Sequence, residues 1–283
     1  MENVWFFIKS AILGIVEGIT EFLPISSTGH LVIAENILDF SSQNPEYLSM
    51  YTYVIQLGAI LAVIVLYFDR IKNTFVNFLP QKVGYSRSGF RFWLMIVIAC
   101  IPGGVVGILF DDLAEKYLFS PVPVAITLFV GGILMILAEN KLRPPMSANL
   151  KGEIRVSPKQ AVIIGLFQCL AIIPGMSRSA STIIGGWVAG LSTVASAEFS
   201  FFLAIPVMLG MSFLKLLKLS LNASFTLPGV AALVIGFIVS FFVALRVIDS
   251  FISYLKRKPM RIFAIYRMIF AAVVLVCGFL GVF

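Results

Sequence analysis

The chain has 283 residues, of which 59% are hydrophobic and 12% charged, with a mean hydropathy of +1.00. A soluble domain carries roughly twice that charge and cannot hide so much apolar surface from water, so a soluble enzyme or binding module is excluded. The net charge of +7 is concentrated in a few loops, where it sets orientation in a membrane; with no basic, aromatic-studded soluble module, a nucleic-acid partner is excluded too.

At the N-terminus, Glu2 stands where a signal peptide would be positive, Lys9 interrupts the apolar run and no small-residue cleavage site follows, so no cleaved leader is expected. Cys100, Cys169 and Cys277 lie in apolar stretches without metal-type spacing and read as small core residues. A spanning helix needs roughly 20 mostly apolar residues. The first apolar region, about 5–38, is broken near its middle by Leu23-Pro24-Ile25-Ser26-Ser27-Thr28-Gly29-His30, leaving two flanks that are short for a span. It predicts a helical hairpin that enters the bilayer and returns to the same side; two full helices are the alternative. Irregular backbone at that depth must be buried in protein or face a wet cavity. The loop at 39–51 carries Asp39 and Glu46 and no Lys or Arg.

Spans are expected at about 52–68, 92–110 and 122–138. Between the first two, the loop at 69–91 holds Arg70, Lys72, Lys82, Arg87 and Arg91; the next, 111–121, holds Asp111, Asp112 and Glu115 against Lys116. The loop at 139–159 is again basic, with Lys141, Arg143, Lys151, Arg155 and Lys159. A second broken region, about 160–191, turns at Ile173-Pro174-Gly175-Met176-Ser177-Arg178-Ser179. Spans follow at about 199–219, 228–248 and 262–282, with Lys256, Arg257, Lys258 and Arg261 in the loop at 249–261. The three basic loops are cytoplasmic by the positive-inside rule. Lys215 and Lys218, near an outer end, are accommodated by snorkelling.

The expected fold is therefore an all-α polytopic membrane protein forming one integral membrane domain, 1–283. It has six spanning helices and two re-entrant hairpins, arranged as an inverted-topology repeat with units at about 1–140 and 155–283 and both termini outside. A weak echo supports duplication: Ala11-Ile12-Leu13-Gly14-Ile15-Val16-Glu17 before the first turn, Val162-Ile163-Ile164-Gly165-Leu166-Phe167-Gln168 before the second. Inverted repeats with broken helices are also a transporter plan, so a transporter or flippase for a phosphorylated lipid or anion is the competing function.

Ionisable residues inside a membrane are costly and read as functional. Glu17 and Glu21 share one helix face, and His30 is the only histidine in the chain. Each turn feeds a new helix whose free N–H groups favour an anion. The second turn adds Gly175 for close backbone approach, the hydroxyls of Ser177, Ser179, Ser181 and Thr182, and Arg178, whose fork suits phosphate. Glu35, Glu198 and Arg246 read as structural, and Gly103-Gly104 and Gly131-Gly132 as helix-packing positions.

These residues closely resemble the hallmark motifs of the undecaprenyl-diphosphatase family, also called bacitracin-resistance proteins. Glu-x-x-x-Glu leading into Pro-x-Ser-Ser-Thr-Gly-His runs from Glu17 to His30, and Pro-Gly-x-Ser-Arg-Ser-x-x-Thr runs from Pro174 to Thr182. The resemblance covers essentially the whole chain. It implies hydrolysis of undecaprenyl diphosphate to the monophosphate and phosphate, recycling the lipid carrier of cell-wall synthesis and conferring bacitracin resistance. It also implies dependence on a divalent cation, Mg or Ca, and a site facing the periplasmic side of the inner membrane.

On that reading Arg178 clamps the diphosphate, with Ser26, Thr28, Gly175, Ser177, Ser179 and Thr182 around it. Glu17 and Glu21 either hold the metal or orient His30. Ser27 is the preferred nucleophile with His30 as general base or acid, and attack by His30 itself is the alternative. The expected partners are the polyprenyl diphosphate lipid and membrane lipids, with a homodimer left open. A phosphatidic-acid-phosphatase type of site needs a second histidine and is excluded by count.

Overall fold

The computed structural model describes residues 2–40, 44–145, 148, 155–218 and 226–280. Lys151 lies outside them, as do the side chains of Glu2, Asp111, Glu115 and Lys218. The described residues are helical with short connections: α1 (Glu2–Thr20), α2 (Ser27–Ile37), α3 (Pro45–Leu66), α4 (Phe68–Val76), α5 (Pro80–Val83), α6 (Gly89–Leu118), α7 (Pro121–Leu142), α8 (Pro158–Gln168), α9 (Arg178–Val188), α10 (Thr193–Lys218), α11 (Leu227–Leu255) and α12 (Arg261–Phe279). The starts are written in the sequence. Proline occupies the first turn of α3, α5, α7, α8 and α11, where its missing N–H costs nothing. Asn44, Ser88 and Thr226 cap α3, α6 and α11, and Ser157 with Gln160 closes a capping box on α8.

Among the described residues, seven helices are long and apolar enough to cross a membrane: those at the six expected spans and α1, over Asn3–Thr20. The chain is a multi-pass membrane protein. At 19 residues α1 rises to about 28 Å at ~1.5 Å per residue, longer than half a hairpin. Its counterpart α8 has 11 residues and ends in a 3-10 turn, Cys169–Ile172. The stretch at 69–91, expected as a loop, holds α4, α5 and a 3-10 turn at Tyr85–Arg87. Hydropathy missed α4 because its Asp69, Arg70 and Lys72 offset its apolar residues.

The segments flanking each polar turn lie side by side. At the open end of the first, Phe6 of α1 stacks on Phe40 beyond α2, ring centres 5.3 Å apart. At the open end of the second, Gln160 Nε2 on α8 donates to the Ala189 carbonyl beyond α9 at 2.9 Å. The first pair opens beside the start of α3, where the Tyr47 ring lies tilted 6.5 Å from that of Phe40, and the second beside the start of α6, where Arg91 donates to the Val156 carbonyl.

α10 is the central element: Phe199, Phe201, Phe202, Leu203 and Ala204 are all fully buried in the largest core cluster. Glycine lets α1, α3 and α8 approach neighbouring backbones. A Cβ on Gly14 would meet the Gly236 carbonyl at 2.7 Å, and Gly18 and Gly58 abut the Ser240 and Phe237 carbonyls of α11 in the same way. Gly165, the counterpart of Gly14 in the sequence echo, lies against Ala99 and Pro102 of α6. Gly103 packs on Gln168 and Gly132 on Met268, as expected of packing positions, whereas Gly104 faces open space. Glu198 pairs with Arg70 at 2.9 Å, and Glu35 accepts from Thr52 at 3.2 Å. Replacing Gly14 by Leu should destabilise the protein by about 1–3 kcal/mol through overpacking. Thermal unfolding in detergent checks this, with Gly104→Leu as the tolerated comparison.

Candidate active site

Both polar turns end in the same way. Ser26 and Ser177 each adopt φ of 71°, in the left-handed region that non-glycine residues seldom occupy. Each uses its side-chain oxygen to cap the helix that follows, accepting from Gly29 N and Ala180 N at 3.3 Å. The first residue of each helix, Ser27 on α2 and Arg178 on α9, then faces a common point, and that point is the Glu21 carboxylate. Ser27 Oγ donates to Glu21 Oε2 at 2.5 Å, and Arg178 Nη2 donates to Glu21 Oε1 at 3.0 Å. The side chains of Arg178 and Glu21 are 11% and 5% exposed, so the pair acts in a low-dielectric interior where charge is weakly screened. Two helix N-termini therefore converge on a serine hydroxyl, a carboxylate and a guanidinium, an arrangement suited to an anion and its transfer.

Several residues expected to touch a ligand are engaged in holding the turns together. Ser179 Oγ donates to the Leu23 carbonyl of the first turn at 2.9 Å and lies 3.1 Å from Ser177 Oγ. Thr182 Oγ1 donates to the Arg178 carbonyl at 2.8 Å and meets Ser200 Oγ at 2.7 Å, while Arg178 Nη1 donates to the Ser200 carbonyl at 3.0 Å. Gly175 has φ of 94° and sits so close to Val124, Thr127 and Leu128 on α7 that a side chain has no room. Thr28 is half-buried in the first turn of α2.

His30 is turned toward α12. Its Nδ1 lies 2.8 Å from the Ser26 carbonyl, which can only accept, so the ring hydrogen is assigned to Nδ1. In the neutral ring Nε2 then accepts from the Tyr266 hydroxyl at 3.0 Å, and the imidazole stacks on Phe270 with centres 4.2 Å apart. The base within hydrogen-bond reach of Ser27 is Glu21.

Glu17, one helical turn before Glu21, is fully buried, and among the described residues neither of its carboxylate oxygens has a hydrogen-bond partner. A buried carboxylate left so is costly and calls for a proton or a cation. Among the described residues no three His, Cys, Asp or Glu converge as a metal cage. Two carboxylates, however, are the usual protein contribution to a cation that also binds phosphate oxygens. Glu17 and Glu21 fit that role.

The match to a sequence model described as "Bacitracin resistance protein BacA" spans residues 10–273. The chain belongs to that family. Among its relatives, an "Undecaprenyl-diphosphatase" of Ruminiclostridium cellulolyticum is 63% identical with both chains covered end to end. One of the same description from Clostridium novyi is 50% identical over 100% of this chain and 99% of its own. An "Undecaprenyl-diphosphatase 2" of Clostridioides difficile is 44% identical over 99% and 98%.

Two residues of this BacA-family site escape sequence reasoning, Arg267 and Tyr266 on α12. Arg267 is fully buried inside a span, and its guanidinium donates to the carbonyls of Leu128 at 3.1 Å, Met176 at 3.3 Å, Pro24 at 3.5 Å and also Gly175. It thus bridges both turns, and Gly131 clears the space it occupies. The available signal was a charge inside an apolar run, the same signal that marked Glu17. Replacing Arg267 by Met should leave buried carbonyls unpaired at about 1–3 kcal/mol each. The melting temperature in detergent should fall far more than for Arg246→Met, at an exposed position on α11.

Proposed function

We propose that the chain hydrolyses undecaprenyl diphosphate to undecaprenyl phosphate and inorganic phosphate, recycling the carrier lipid of cell-wall synthesis and so conferring bacitracin resistance. The observation that carries this reading is the Glu21 carboxylate held between the Ser27 hydroxyl and the Arg178 guanidinium, in a chain that is 63% identical to a relative described as an undecaprenyl-diphosphatase. Ser27 Oγ attacks the terminal phosphorus while Glu21 takes its proton. The bridging P–O bond breaks, the prenyl monophosphate leaves, and water then releases phosphate from the serine ester. Arg178 clamps the equatorial oxygens, where charge is spread in the transition state. Glu17 and Glu21 would hold a divalent cation, Mg or Ca, which would supply charge neutralisation at the phosphate oxygens. His30, hydrogen-bonded to the Ser26 carbonyl, keeps the turn that presents Ser27 in place, and it is the alternative nucleophile.

The arrangement we propose is an inverted repeat, with the polar turns meeting inside an inner-membrane protein whose termini and site face the periplasm. Three features support it: helices of 11 residues after both turns, φ of 71° at both capping serines, and open ends placed beside the starts of α3 and α6. The basic stretches around 69–91 and 249–261 then lie in the cytoplasm.

Purified protein in detergent should release phosphate from a polyprenyl diphosphate, and a chelator should stop it. Arg178→Ala should lower the rate by roughly 10²–10³-fold, and Ser27→Ala and Glu21→Gln should abolish it. Release with no divalent cation present would remove the metal, and no release under any divalent cation would leave a transporter. Rapid quenching with labelled substrate separates the nucleophiles: an acid-stable phosphoserine is expected, and an acid-labile adduct retained by Ser27→Ala would assign the attack to His30. For orientation, a cysteine-free variant carrying Glu46→Cys should react with an impermeant reagent added outside cells, and one carrying Lys82→Cys should not.

A further inference from the structure

A second polar cavity lies outside this site. It encloses about 210 Å³, and four guanidinium groups line it: Arg70 on α4, Arg87 in the 3-10 turn, Arg91 on α6 and Arg155 before α8. That volume is far above the roughly 10–15 Å³ a single water needs. Its floor is apolar, made by Phe92 and the fully buried Phe199. No carboxylate stands among the described lining residues. Arg70 is paired with Glu198 beyond the lining at 2.9 Å. Arg91 donates to the carbonyls of Val156 at 2.8 Å and Ser86 at 3.4 Å, neutral partners that orient its fork and leave its charge in place. Guanidinium forks gathered from four stretches of chain match the oxygens of a phosphate.

The surroundings place the cavity at headgroup depth. It sits where α3 ends and α6 begins, two helices of membrane length. Between them α4 exposes Phe68, Phe75 and Val76 together with Asp69, Lys72 and Asn73, the composition of a helix lying in the membrane–water interface. Trp93 donates its Nε1–H to Thr74 of the cavity wall at 2.9 Å and packs 5.7 Å from Phe75, as an interfacial tryptophan does. The segment is held to α6 by two backbone bonds, Gly89 N to the Asn77 carbonyl and Phe90 N to the Phe78 carbonyl, both 3.0 Å. Exposed Leu79 and Phe90 beside it offer contact to an acyl chain.

We propose that this cavity binds the phosphate headgroup of an anionic membrane lipid, on the face that the positive-inside rule assigns to the cytoplasm. It is separate from the Glu21–Arg178 site: Phe199 faces the cavity, whereas the next residue, Ser200, holds Arg178 through its carbonyl. The same phosphate chemistry is offered by free phosphate in water, and the apolar border of α4 favours the lipid.

Trp93 is the reporter. A Trp5→Phe/Trp187→Phe protein, with Trp93 as its one tryptophan, is placed in phosphatidylcholine bilayers containing brominated phosphatidylglycerol or brominated phosphatidylcholine at equal mole fraction. Brominated phosphatidylglycerol should quench Trp93 with a preference of roughly fivefold per guanidinium engaged, and high salt should weaken it. Arg87→Gln, at an exposed position, should lower the preference about fivefold with an unchanged melting temperature. Arg87→Gln/Arg91→Gln should remove it, and if that protein does not fold the single variant decides. Lys256→Gln/Lys258→Gln, on the same face but outside the cavity, should leave it intact. An equal loss in the lysine variant would reduce the effect to general surface charge and overturn the proposal. Displacement of phosphatidylglycerol by millimolar inorganic phosphate would also overturn it, by making the ligand the soluble ion.

Discussion

A broken helix inside a membrane exposes carbonyls that no water can satisfy, and the whole site depends on how that problem is solved here. Arg267 solves it. One buried guanidinium reaches carbonyls of both turns and of α7, so two irregular stretches of backbone share a single partner. The cost of burying that charge is offset by spreading it over several carbonyl dipoles. With the turns fixed in this way, Ser179 can bond across to Leu23, and the starts of α2 and α9 are set against each other.

The chemistry rests on that fixed juxtaposition. Glu21 is oriented on one oxygen by Arg178 and offers the other to Ser27, so on the proposed mechanism base, nucleophile and anion clamp are positioned before any ligand arrives. The cost of holding Ser26 and Ser177 in the left-handed region is met by the helix caps that their hydroxyls supply. Glu17 is the exception. Its two carboxylate oxygens have no hydrogen-bond partner among the described residues.

Much of this was legible in the sequence, and the part that was not has a physical reason. Apolar runs and loop charges located the six expected spans, because membrane length is a strong one-dimensional signal. Glu17, Glu21, Ser27 and Arg178 were legible as polar residues that a membrane does not tolerate without cause. The first flank, expected from about residue 5 up to the turn, forms α1 over Glu2–Thr20, and composition alone does not separate a full span from one half of a hairpin at that length. Arg267 and Tyr266 were missed because they are two neighbouring polar residues, with no motif around them, in an otherwise apolar span. Their partners lie 243 and 236 residues earlier, and nothing local announces such a contact. The hydroxyls of Ser177, Ser179 and Thr182 were identified but not their duty, since a sequence names donors without saying which acceptor they face.

The separation between Arg267 and the turns it holds also orders the protein's biogenesis. Pro24 emerges 243 residues ahead of its partner, and Gly175 92 residues ahead. Both turns are therefore synthesised before the side chain that satisfies them exists. Until α12 is inserted they must remain near water, near lipid headgroups or in the keeping of the insertion machinery. Until α12 is synthesised, the contacts that join the two turns through Arg267 cannot form. A chain interrupted before α12 carries every residue of both motifs and still lacks the cation that draws their two turns together.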